Sequence, residues 1–238
     1  MTTLLIATRN AHKVGEIWDL LGACFGCLML NDFPGAPQVV EDADTFAGNA
    51  IKKAVELAKW LREKPPTGNL QRALPNFVLA DDSGLEVDVL KGAPGVHSAR
   101  FAALDHATDG SLSAGETGNS PDAENNAKLL RLLRDVPEEK RSARFCCVIA
   151  LVAMRADRGM NASPVCYSDE LVAHTFVGAC AGRIRWAPSG QGGFGYDPLF
   201  VPAGYAQSFS ELGGEVKNMI SHRAKALDQV KNFLRQVD

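Results

Sequence analysis

Apolar positions fall along this chain in two rhythms. Leu4-Leu5-Ile6-Ala7 is a short apolar run that predicts a buried strand, and Val14, Ile17, Trp18 and Leu21 follow at the i, i+3, i+4, i+7 spacing of a helix face. Gly22 is expected to end that helix. A second helix is predicted to start at Thr45 as N-cap: Ala47, Ala50, Ile51, Ala54, Ala58 and Leu61 form its apolar stripe, while Lys52, Lys53, Glu56 and Lys59 carry charge. Phe77-Val78-Leu79-Ala80 reads as a strand, and Ala127, Leu129, Leu130, Leu132 and Leu133 as an amphipathic helix. Phe145–Val152 and Leu171–Val177 read as strands joined by a hairpin connection over 155–164. Helix returns near 218, with Ile220, Arg223, Ala224, Leu227, Val230 and Leu234 on one stripe. Short apolar runs interleaved with helical stripes predict an α/β fold.

Two stretches interrupt the pattern. Residues 62–76 contain Pro65-Pro66, Gly68 and Pro75, and residues 106–125 lie in a stretch rich in Gly, Ser, Asp, Asn and Thr; both are expected to be exposed, flexible loops. No internal repeat or low-complexity tract is present. The 238 residues suit one substantial core, so residues 1–238 are expected to form a single domain with two lobes. A net charge of −3 gives no overall attraction for a polyanion, so nucleic acid is not an expected partner. No apolar stretch approaches the roughly 18 to 20 residues that span a bilayer, and no leader pattern opens the chain, so a soluble cytoplasmic protein is expected. The six cysteines include Cys24-x-x-Cys27, but no second pair completes a zinc site and this one follows a helix end, so buried, reduced thiols are expected.

Candidate chemistry sits in the polar segments. Thr8-Arg9-Asn10-Ala11-His12-Lys13 joins the first strand to the first helix, where free N–H groups, the helix dipole and a lysine suit a phosphate; Asn10 as a plain N-cap is the alternative. Asp81-Asp82-Ser83-Gly84 is expected to end its strand on a glycine turn, where carboxylates can hold magnesium or orient water, unless they form a solvated Asx turn. Glu41, in the polar segment before the second helix, is a candidate for another oxygen ligand, or an exposed loop glutamate. Gly190, Gly192 and Gly195 have the spacing of a dinucleotide fingerprint, which requires a helix at once; Pro198 excludes one, so a glycine-rich turn running into a short strand over 199–201 is predicted. Phe194 in that turn, with Lys217-Asn218 and Ser221-His222-Arg223 further on, offers a ring and cations to a planar polar ligand such as a purine base; Phe194 as a core residue is the alternative.

Taken together the chain resembles the inosine triphosphate pyrophosphatase family, the dITP/XTP pyrophosphatases, nearly from end to end. The resemblance rests on ATRNAHK, DTFAGNAIKKA, ADDSGLEVDVLKGAPGVHSARF, GGFGYDPLFVP and KNMISHRAKAL, in that order. It implies an elongated, two-lobed α/β fold with a central mixed sheet flanked by helices, a nucleotide cleft between the lobes, and a homodimer. It also implies a magnesium-dependent reaction in which water attacks the α-phosphorus of a non-standard purine triphosphate (dITP, ITP, XTP or dXTP), releasing the monophosphate and pyrophosphate and so removing deaminated purines from the nucleotide pool. Matched motif by motif, Thr8, Arg9, Asn10, Ala11, His12 and Lys13 would hold the triphosphate. Asp82 would be the general base or a metal ligand, Glu41 would help with the metal, and Ser83 would contact the substrate. Phe194, Gly195, Tyr196, Asp197, Lys217, His222 and Arg223 would line the nucleoside end. Donors there would favour a 6-oxo base over adenine, whose amino group leaves them unpaired. The chain departs from the family at Gly48, where an acidic residue is usual, and at His97, where tyrosine is common. Alternatives are a related pyrophosphatase acting on other modified nucleotides, a non-hydrolysing nucleotide-binding regulator, and a nucleic-acid binder using the basic block Lys217–Lys225.

Overall fold

A computed structural model describes residues 1–63, 74–107, 119–154, 165–168 and 171–237. In chain order the elements are β1 (Thr3–Ile6), α1 (Ala11–Leu21), β2 (Gly26–Met29), α2 (Phe46–Glu63), β3 (Phe77–Val87), α3 (Leu104–Ala107), α4 (Asp122–Leu132), β4 (Ser142–Ala153), β5 (Val165–Ser168), β6 (Leu171–Ile184), β7 (Phe200–Pro202), α5 (Phe209–Ile220) and α6 (His222–Val237). The sheet runs β2-β1-β3-β4-β6-β5, with β7 paired to β6. It is mixed: β1 lies parallel to β2 and β3, and β6 antiparallel to β5 and β7.

The chain divides into two compact units, one of Met1–Asp82, Val148–Val177 and Lys225–Asp238, the other of Ser83–Cys147 and Gly178–Ala224. In the first, Leu4, Leu5 and Ile6 are fully buried and in register with Phe77, Val78 and Leu79, the continuous apolar run that a strand covered on both faces requires. Asn10 Oδ1 accepts from the Lys13 amide at 3.1 Å and starts α1, and Gly22, at φ 65°, ends it. Thr45 Oγ1 accepts from the Gly48 amide at 3.0 Å and caps α2, whose Ala50, Ala54, Ala58 and Leu61 are buried.

The second unit is built around aromatics. Phe145 and Phe200 sit 4.7 Å apart and Phe200 and Phe209 5.3 Å apart, with Leu85, Val87, Leu129, Leu133 and Leu199 in the same cluster. Ser208 and Glu211 form a reciprocal capping box that starts α5, and Gly213 at φ 77° kinks it.

Several expectations change. Asp81-Asp82-Ser83-Gly84 is not a turn at a strand end: β3 runs through it to Val87, and both aspartates are buried. Alternation after Gly84, with Leu85 and Val87 buried, carries the strand on. β2 was not expected, and neither was the start of α4 at Asp122, whose first turn is polar because it binds a loop rather than the core. The helix expected near 218 is two, α5 from Phe209 and α6 from His222, split where Ser221 Oγ accepts from the Ala224 amide. Cys24 is exposed and Cys27 and Cys146 are half-buried, whereas Cys147 and Cys180 are buried as expected; all five are free thiols. The 155–164 connection and most of the two expected loops lie outside the described residues.

Candidate active site

The first cluster lies within the first unit and joins a strand, a helix start and a loop. Asp81 and Asp82 are neighbours on β3, yet each meets its own lysine. Lys13, in the first turn of α1, places Nζ 2.5 Å from Asp81 Oδ1, and Asp81 is fully enclosed. Lys53, from the middle of α2, places Nζ 2.8 Å from Glu41 Oε2, 2.7 Å from the Asp81 carbonyl and 3.8 Å from Asp82 Oδ1. Lys53 thus ties together Glu41 and both aspartate residues. Its position in the sequence held the signal: it falls three residues before Glu56 but also beside Ala50 and Ala54 on the buried stripe, so a lysine there must carry its charge inward. Burial pushes the Asp82 carboxyl up to about 6; Lys53 and Lys13 oppose that, while Glu41 and Asp81 add to it.

Glu41 is brought to the cluster by Asn49, a buried residue that sequence reasoning passed over. Its Oδ1 accepts from the Ala43 amide at 2.9 Å and its Nδ2 donates to the Ala43 carbonyl at 3.3 Å, folding the 41–45 segment back over α2. Gly48 makes that fold tight. A Cβ at 48 would come 2.7 Å from Ala43 Cβ and 3.1 Å from Thr45 Oγ1, so an acidic side chain would require the segment to move.

The Thr8–Lys13 segment is more self-contained than a bare anion loop. Thr8 Oγ1 accepts from the Asn10 amide at 3.2 Å and Asn10 Oδ1 from the Lys13 amide, while Arg9 Nη2 donates to the Ala36 carbonyl at 2.8 Å. Asn10 is therefore the N-cap. Arg9, Ala11 and His12 are exposed, and Lys13 carries the segment's charge into the cluster.

The second cluster lies within the second unit. The turn before β7 has Gly190, Gly193 and Gly195 at φ 80°, 76° and 62°, conformations that glycine adopts without strain, and no helix follows. Asp197 Oδ2 accepts from the Phe194 amide at 2.9 Å and from Lys217 Nζ at 2.5 Å. Lys217, buried on α5, stands 4.6 Å from the Phe194 ring centroid. Arg223, buried at the start of α6, donates to Ser83 Oγ at 2.8 Å and lies 6.0 Å from the same ring. His222 stacks on Phe145 at 4.8 Å. Phe194 itself is half-buried, so it is not a core residue. Tyr196 is: its hydroxyl donates to the Ser98 carbonyl at 2.9 Å, and burial pushes its phenol far above its usual range. Gly195 is held from both sides, its amide donating to Asp122 and its carbonyl accepting from Asn126 at 2.9 Å. His97 lies in a short 3₁₀ turn, Gly95–Arg100.

The described site is thus an acid–lysine cluster on a mixed α/β sheet, with a ring near two cations in the second unit. The Ham1 family model matches residues 4–233, and the chain belongs to the Ham1 family. A dITP/XTP pyrophosphatase of Desulforamulus reducens is 44% identical over 98% of this chain and 96% of its own length. Among solved structures, a HAM1 protein from Coxiella burnetii matches with a TM-score of 0.73 at 32% identity, covering 99% of this chain and all of that one. The Staphylococcus aureus Ham1 protein matches with a TM-score of 0.71 at 29% identity over the full length of both.

Proposed function

We propose that this chain is a nucleoside-triphosphate pyrophosphatase that hydrolyses non-standard purine triphosphates, dITP, ITP, XTP and dXTP, to the monophosphate and pyrophosphate. The observation that carries this reading is the interlock on β3, two adjacent buried aspartates gripped by Lys13 and Lys53, with the Asp82 carboxyl raised to about 6. A carboxylate tuned to that range is ionised at neutral pH and basic enough to take a proton from water. Asp82 is then the general base: it receives the proton as the water oxygen bonds to the α-phosphorus, and the bond from that phosphorus to the bridging oxygen breaks, releasing pyrophosphate. Lys13 and Lys53 oppose the charge that develops on the phosphoryl oxygens, and Thr8 to His12 and Ser83 orient the triphosphate.

Magnesium suits the donors present. Glu41 and Asp82 are hard oxygen ligands, and among the described residues no cluster of three His, Cys, Asp or Glu side chains forms a closed metal cage. One or two carboxylates completed by substrate phosphates and water is the way proteins usually hold this ion. When bound, it would neutralise the triphosphate and polarise its phosphoryl oxygens.

In the second unit, Phe194 stacks on the base, and Lys217, His222 and Arg223 supply donors that accept a 6-oxo purine and leave adenine mismatched. Gly195, Tyr196 and Asp197 shape the turn that presents the ring, with Asp197 holding Lys217. A homodimer and a cytoplasmic setting belong to the same proposal; light scattering tests the first. Among the described residues no helix is long and apolar enough to cross a membrane. The experiment is product analysis by anion exchange with dITP, XTP, dATP, dGTP and dTTP offered separately, with magnesium and then with EDTA. Magnesium-dependent monophosphate and pyrophosphate from dITP and XTP are expected. Release of single phosphates, or binding without turnover, would replace this reading with a different phosphohydrolase or a nucleotide-binding regulator.

A further inference from the structure

The segment from Arg185 to Pro198, which carries Phe194, is fastened to the first turn of α5 at several points. Arg185 Nη1 donates to Glu211 Oε2 at 2.9 Å and also meets Ser189 Oγ. Ser208 Oγ donates to the Ser189 carbonyl at 3.0 Å, and Ser210 Oγ donates to the Gly192 carbonyl. Gly190 lies so close to this turn that a Cβ would come within 2.6 Å of the Ser210 carbonyl carbon and 2.7 Å of the Glu211 nitrogen. The foot of the segment is held separately. Buried Arg141 donates to the Arg185 carbonyl at 3.1 Å, and its guanidinium stacks on Trp186 at 3.4 Å from the ring centroid.

These fasteners matter because α5 carries Lys217 and the segment carries Phe194. Glu211 does two jobs with one carboxylate, accepting from the Ser208 amide in the capping box and from Arg185 of the segment, so forming the helix start and docking the segment are one event. Lys217 follows the kink at Gly213 on the same helix and is tied to the segment through Asp197, which also accepts from the Phe194 amide, so the lysine and the ring are placed by how the segment and α5 are fastened together.

We infer that the first turn of α5 is a positioning device for base selection: Ser210 and the Arg185–Glu211 pair, touching no substrate themselves, set the separation of Phe194 and Lys217 and with it the discrimination between 6-oxo and 6-amino purines. This rests on the proposed role of Phe194 at the base. Ser210→Ala and Arg185→Ala are expected to raise KM for dITP about 3- to 10-fold, the loss of one or two ordinary hydrogen bonds. They are expected to leave kcat nearly unchanged and to lower the ratio of kcat/KM for dITP over dATP. Arg185→Lys, which keeps the ion pair, should recover most of that ratio. Thermal melting confirms that each variant is folded; Arg185 is half-buried at the surface, so its variants are the safer of the set. Folded variants with unchanged KM and selectivity would overturn the inference, as would equal losses on dITP and dATP. Phe194→Ala separates the two layers. If it raises KM while the fastener variants do not, the positioning role alone falls; if it leaves KM unchanged, the base-stacking role falls and the positioning role falls with it.

Discussion

The acid–lysine cluster of the first unit and the ring–cation cluster of the second treat buried charge in different ways. In the first, four of the five charges are set by regular elements, Lys13 from α1, Lys53 from α2 and the two aspartates from β3, and Glu41 comes from the loop before α2, with ion-pair distances of 2.5–3.8 Å. In the second, Lys217 and Arg223 come from helices but face a ring carried on an irregular, glycine-rich turn, and one carboxylate, Asp197, serves both the turn and a lysine. A strand-borne cluster holds protonation states within narrow geometry, which suits bond breaking. A turn-borne cluster holds a surface, which suits reading a base. Variants in the first should therefore act on kcat, and variants in the second on KM, selectivity and stability.

The largest expected effect is in the first cluster. Asp82→Asn should lower kcat by about 10³-fold, within the range of a lost general base, while circular dichroism shows an intact fold; a folded variant with normal kcat would remove Asp82 from the mechanism. Next comes the buried pair of the second cluster. Lys217→Met leaves Asp197 charged and enclosed and should cost about 3–5 kcal/mol in denaturant unfolding, and adding Asp197→Asn should recover a large part of it. Failure of the second change to recover stability would mean that the pair is not what holds the turn. Phe194→Ala should raise KM for dITP by a factor set by roughly 1–3 kcal/mol of stacking, with kcat nearly kept.

The smallest effect is a displacement along the pH axis. Asp82 must be ionised to act, so kcat/KM without saturating magnesium should fall about tenfold per pH unit below about 6. Lys53 is the strongest of the charges that pull the Asp82 carboxyl back down, so Lys53→Met should move that limb to higher pH. Stability runs the other way. The folded carboxyl sits above its ordinary 3.8, so its neutral form favours the fold, and that contribution is lost as pH rises through about 6. Melting temperature should decline over that window and the decline should vanish in Asp82→Asn.

Much of this was legible from periodicity. The α1 and α2 stripes, β1 and the central strands follow from apolar spacing, and the N-cap of Asn10 from residue type alone. What escaped has a physical reason in each case. Asp81 and Asp82 were expected on a glycine turn at a strand end because adjacent carboxylates followed by Ser-Gly are poor strand formers; Lys13 and Lys53 neutralise them inside β3, and those lysines are 68 and 28 positions from Asp81 in the chain. Lys53 was set with the charged positions of α2 and not on its apolar stripe, although its neighbours Ala50 and Ala54 on that stripe are buried. Asn49 and Ser210 act through backbone carbonyls and amides of distant loops, contacts that leave no pattern in composition or spacing. The turn around Phe194 was recognisable because Pro198 forbids the helix that its glycine spacing would otherwise suggest.

The most direct test of the proposed reaction is hydrolysis of dITP in water enriched in oxygen-18, with the products separated and weighed by mass spectrometry. One heavy oxygen in the monophosphate and none in pyrophosphate is expected, because water bonds to the α-phosphorus. Label in pyrophosphate, or in released orthophosphate, would place the attack on another phosphorus and contradict the role assigned to Asp82 and its lysines.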